Sequence, residues 1–110
     1  MEDKLPNGIT QEMIDAAKEK HTKVKMATLF DEDGNELKAV LVGTPSAQVL
    51  NNFERFLDNA PAKAKKILLK GVLCSSEEIA ELPQNSELFI AAFNGCIEMI
   101  PVGKAVLKNV

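Results

Sequence analysis

His21 is the only histidine of the 110-residue chain, and Cys74 and Cys96 are its only thiols. A histidine acting as a general base needs one group to orient it and another to give up a proton. The neighbours Lys20, Thr22 and Lys23 predict instead a surface position at the end of a helix, where a cation also suits the dipole. Cys74 precedes Ser75 and Ser76, and a thiol at a helix N-terminus can be activated as its thiolate. Capping accounts for the serines without catalysis. In Ser75-Ser76-Glu77-Glu78, Ser75 can accept from the third residue's N–H while Glu78 reaches back. Cys74 and Cys96 lie inside or beside apolar segments without metal-like spacing, so both are expected to be free thiols in an apolar setting.

The acidic stretch Asp31 to Glu36 poses a second chemical question. Asp31, Asp33 and Asn35 match the first, third and fifth places of a calcium-binding loop. Such a loop also needs Gly at the sixth place and a bidentate Glu at the twelfth. Those places hold Glu36 and Val42, so a solvated hairpin turn is the expectation. The chain contains no glycine-rich phosphate loop, no HExxH and no pair of CxxC motifs. No catalytic residue, metal or cofactor is expected, and the chain reads as a protein that is not an enzyme. Three alternatives stay open: a small enzyme using His21 or Cys74, a small cytosolic interaction domain of another kind, and a nucleic-acid-associated protein. The last would use Lys63, Lys66 and Lys70, which line one helical face with Lys65 nearby. Against it stand a net charge of −3, the lack of aromatics between these lysines and the acidic Glu77, Glu78 and Glu81 that follow.

These residues need a scaffold. Hydrophobic residues make up 45% of the chain and charged residues 26%, which places it among globular domains rather than disordered segments. Five Phe and no Trp or Tyr mean a mainly aliphatic core. No apolar run approaches the ~20 residues that cross a bilayer. Met1-Glu2-Asp3-Lys4, followed by Pro6 and Gly8, does not read as a signal peptide, so a cytoplasmic location is expected.

Residues 1–9 read as a loose lead-in, 10–100 as a single domain and 101–110 as a tail. Thr10 is the expected N-cap of a short helix to about residue 20, with Met13, Ile14 and Ala17 as its apolar stripe. Residues 23–42 alternate in polarity around a turn containing Gly34, the pattern of a β-hairpin. Thr44 and Pro45 are expected to open a helix that carries Val49, Leu50, Phe53, Phe56 and Leu57. Asn59-Ala60-Pro61 ends it and starts another, running to about Leu73 with Ala64, Ile67, Leu68, Gly71 and Val72 inward. A short helix opened by Ser75 ends at Pro83. The last helix, roughly 84–99, presents Leu88, Phe89, Ala92, Phe93, Cys96, Ile97 and Ile100 on one broad face. The predicted fold is α+β, a short N-terminal helix and β-hairpin packed against a small C-terminal helical bundle.

In this order of elements the chain resembles the small tail assembly chaperones of long-tailed bacteriophages and prophages. The likeness begins at Ile14-Asp15-Ala16-Ala17-Lys18-Glu19-Lys20-His21, a helix running into Lys23-Val24, and continues through the hairpin to Thr44-Pro45-Ser46. It extends over Pro61-Ala62-Lys63-Ala64, Leu68 to Cys74 and Ser75-Ser76-Glu77-Glu78-Ile79 to the closing amphipathic helix. The family usually carries basic residues around its Pro-Ser helix start; here Val42-Gly43 precede and Ala47-Gln48 follow. The resemblance implies a non-enzymatic, oligomeric protein of the bacterial host cytoplasm, which binds the long helical tape measure protein. A client of that kind requires an apolar groove. The candidate positions are Phe56, Leu57, Leu69, Leu73, Phe89 and Ile90, together with Val106, Leu107 and Val110 of the tail.

Overall fold

The computed structural model describes residues 5–6, 8–101, 107 and 109. It shows an α+β fold in the order α1 (Gln11–Lys20), β1 (Val24–Phe30), β2 (Glu36–Gly43), α2 (Ala47–Leu57), α3 (Pro61–Val72), a 3₁₀ helix (Glu77–Glu81) and α4 (Glu87–Ile97). The lead-in is tied down at its end: Pro6 accepts a bond from Ile9 N–H at 3.1 Å, and Ile9 is buried. Thr10 caps α1, its hydroxyl accepting from Met13 N–H at 3.2 Å.

β1 and β2 form an antiparallel hairpin, in register from Val24 opposite Gly43 to Leu29 opposite Lys38, with a bulge between Leu29 and Phe30. Gly34 takes a φ of 84° in the turn. Asp31 organises that turn, accepting from the backbone N–H of Asp33 (2.9 Å) and Asn35 (2.8 Å) and from the Asn35 side chain (3.2 Å). A two-stranded ribbon is marginal by itself. Here α1 packs on both strands, and α4 packs on both as well. Val40, Leu41 and Val42 are consequently all buried, although successive side chains of a strand point to opposite faces.

The main core lies between the hairpin and the helices: Leu29, Val40 and Val42 meet Leu68, Leu69, Val72, Ile79, Phe89, Ala92 and Cys96. Leu68, Leu69 and Phe89 lose essentially all contact with solvent. Each large side chain sequestered this way contributes roughly 1.5–3 kcal/mol. α2 and α3 lie close together, for a methyl group at Gly71 would stand 2.5 Å from a Val49 methyl.

Three helix starts differ from the sequence expectation. Ser46, not Thr44, caps α2, accepting from Val49 N–H at 3.2 Å. Thr44 extends the hairpin instead, its hydroxyl accepting from Lys23 N–H at 3.1 Å. α4 begins at Glu87 with Ser86 as its cap, about one turn later than the apolar pattern alone suggests, because the turn from Pro83 to Ser86 closes on itself. The third concerns Ser75. It forms no capping box; its hydroxyl accepts from Leu41 N–H at 2.9 Å, while Cys74 N–H donates to the Leu41 carbonyl at 2.8 Å. With the bridge between Val42 and Leu73, this segment covers the outer edge of β2 at Leu41 and Val42. The helix that follows is 3₁₀, entered through Ser76 in the left-handed region (φ 52°, ψ 43°).

Candidate protein-binding surface

Of the six apolar positions proposed from sequence, Leu69, Leu73 and Phe89 belong to the core, each less than 5% exposed. They are not available to a partner; the close α2–α3 packing and the return of the chain along β2 consume them. Phe56 is half-buried beneath two cations, with the Lys63 ammonium 4.1 Å and the Arg55 guanidinium 5.5 Å from its ring centre. Leu57 and Ile90 are exposed, at 42% and 47%. Leu107 is exposed, and Val106 and Val110 lie outside the described residues. The six positions therefore do not make one surface.

A different set does converge. Met26 and Phe30 are exposed although apolar, and both border one groove. α4 passes beneath β1 at Gly95, where a methyl would sit 3.8 Å from the side chains of Ala27 and Leu29. Between strand and helix runs a groove of about 420 Å³, bordered by residues 25–30 of β1 and by Ala91, Asn94, Gly95, Glu98 and Met99. A smaller hollow of about 220 Å³ brings Phe30 of the strand together with Ile90 and Ala91 of α4. Sequence reasoning missed Phe30 and Met26 because alternation says which residues share a face, not which face a helix will cover. The face turned to α4 carries Ala27 and Leu29, so the larger Met26 is left in solvent, while Phe30 at the end of the strand borders the hollow beside α4.

His21 and Cys74, treated separately in the sequence, line one hollow of about 310 Å³ with Lys20, Lys70 and Glu77. The two do not bond to each other. His21 Nδ1 lies 2.9 Å from the Thr44 carbonyl and donates to it, which fixes the ring over Gly43. The Cys74 thiol faces the Val72 carbonyl at 3.5 Å. Burial, reinforced by the Glu77 carboxylate, pushes this thiol above its ordinary range, with Lys20 opposing weakly. A nucleophile needs the reverse, since the thiolate is the reactive form. Cys96 is more deeply buried and is pushed up to about 12 by desolvation.

On α3 the lysines are engaged within the chain. Lys66 and Lys70 both reach Glu81, at 2.7 and 3.1 Å, and Lys65 lies 5.4 Å from the Phe93 ring centre. These bonds hold the Glu81 carboxyl below its ordinary range. Both oxygens of Asp31 are committed to the hairpin turn. Among the described residues, no group of three or more His, Cys, Asp or Glu side chains could hold a metal ion. Nor does any described helix have the length and apolarity to cross a membrane.

Comparison with known proteins finds no matching family model, no matching curated protein and no matching solved structure.

Proposed function

We propose that the chain is a non-enzymatic, protein-binding assembly factor of the tail-chaperone type, acting in the bacterial cytoplasm on a long helical client resembling a tape measure protein. The observation that supports this reading is the apolar pair Phe30 and Ile90 at one end of the α4–β1 groove. Single exposed apolar residues are ordinary on protein surfaces, but clustered ones beside a groove mark places where partners sit. An amphipathic helix would place its apolar stripe against Phe30, Ile90 and Ala91. Glu87 and Glu32 border the same hollow and would favour a client helix with basic residues flanking that stripe.

Co-expression with the neighbouring gene's product supplies the test, provided that product is a very long, mainly helical protein. The client should copurify with the wild-type chain, and Ile90→Glu should weaken its capture by at least about tenfold, a loss near 1.4 kcal/mol. Ile90 is exposed, so this substitution should leave the fold intact. Equal capture by both forms would rule out this surface, and capture by neither would rule out this role.

A further inference from the structure

The two edges of the hairpin are treated differently. Lys23 bonds toward β2 through both its N–H and its C=O, to Thr44. Alternation in an antiparallel ladder then aims Lys25, Ala27 and Leu29 toward β2, and the N–H and C=O of Val24, Met26 and Thr28 outward. The bonds of Leu41 agree: this partner of Met26 turns its own N–H and C=O away from β1, to Ser75 and Cys74. The β2 edge is thus occupied at Leu41 by the chain itself. Among the described residues nothing pairs with the β1 edge. Its middle, Met26-Ala27-Thr28, carries none of the charges, prolines or bulges that guard exposed strands; the single bulge lies beyond, at Leu29/Phe30.

We propose that this open edge pairs antiparallel with the β1 strand of a second copy of the chain, making a four-stranded sheet about a two-fold axis. The charge pattern selects that occupant. Lys23 and Lys25 stand at one end of the strand, and Asp31, Glu32 and Asp33 at the other. With the axis at Ala27, Lys23 lies opposite Asp31 of the second copy, Val24 opposite its Phe30 and Met26 opposite its Thr28. The axis repeats every pair. Opposite charges across a strand pair stabilise it and like charges oppose it, so parallel pairing, with lysines beside lysines, is disfavoured. The same arrangement is isologous, as closed dimers require. The groove beside this edge, floored by Ala91 and Gly95, gives room for the inward Ala27 and Leu29 of the incoming strand. This dimer does not depend on which client the chain binds.

Light scattering and sedimentation over about 1 µM to 1 mM, the Kd range of weak to moderate association, test it directly. The wild-type chain should pass from monomer to dimer. Met26→Pro removes an outward N–H without touching the ladder to β2, and Thr28→Lys places a charge at the edge; each should weaken dimerisation by at least about tenfold while circular dichroism stays unchanged. A paired charge exchange gives a second, independent readout. Lys23→Glu with Lys25→Glu makes both strand ends acidic, and Glu32→Lys with Asp33→Lys makes both net basic, Asp31 being kept because it holds the turn. Each double variant should be monomeric alone, and the two should dimerise when mixed. A wild type that stays monomeric overturns the proposal. So does a dimer indifferent to Met26→Pro and Thr28→Lys, or a mixture of exchanged variants that fails to associate. Ile90→Glu should leave the dimer unaffected, because Ile90 lines the client hollow and not the β1 edge, although Phe30 and Ala91 border both.

Discussion

A single methyl group added at Gly43 would collide with the imidazole ring of His21. The ring cannot retreat cheaply, because its Nδ1–H is bonded to the Thr44 carbonyl. Gly43→Ala should therefore lower stability by about 1–3 kcal/mol, the usual cost of overpacking, seen as a lower urea midpoint with unchanged slope. In the His21→Ala background the same change should cost much less, and the double-mutant cycle measures the difference. His21 thus has a packing role that its polar sequence neighbours concealed. The thiols make a separate prediction. Since burial raises both, alkylation of the native protein should be slow at neutral pH and quicken as pH rises, with Cys74 leading and Cys96 protected until unfolding. Fast labelling of Cys74 at pH 7 would contradict its environment.

Between elements, Ser75 joins segments 34 residues apart by accepting from the buried Leu41 N–H. Ser75→Ala strands that donor and should cost about 1–3 kcal/mol. Glu78→Ala, which would matter equally in a capping box, should change stability little, for among the described residues Glu78 makes only a long, exposed contact with Lys38 at 3.5 Å. Thermal melts of the two variants side by side decide the matter. This contrast shows what the sequence could and could not disclose. Helix and hairpin spans were legible because their cues are local: Thr10 before α1, Gly34 in the turn, Pro61 at the start of α3. Ser75 was illegible because a serine ahead of Glu78 has the same local pattern whether it caps a helix or reaches across to a strand. Thr44 was misassigned for the same reason, as its partner Lys23 is 21 residues away.

For the whole molecule, stability rests on one mainly aliphatic cluster, and exposed carboxylates modulate it weakly. Leu68→Ala, at the centre of that cluster, should cost about 2–5 kcal/mol. Acid should act on the surface. Asp31 is lowered from 3.8, first by the Asn35 backbone bond, and Glu81 is lowered from 4.5, first by the Lys66 bond. A group depressed in the folded state stabilises fully above its unfolded value and loses that contribution as pH falls through the folded one. Denaturation curves should thus be flat in these contributions near neutrality and decline below about pH 4.5, less steeply in an Asp31→Asn variant. The candidate surface was only partly legible. Ile90 was legible as an apolar position on a helix, whereas Phe30 and Met26 depend on which side of β1 the last helix occupies, which Gly95 marks. The clasp on β2 also bears on how the chain is made. During synthesis the hairpin leaves the ribosome first, yet Leu41 obtains its outer bonds only after residues 73–75 have emerged. Until then the nascent ribbon carries two unsatisfied edges and an uncovered apolar face, so shortening the chain to end before Leu73 should give a product that aggregates rather than a smaller folded domain.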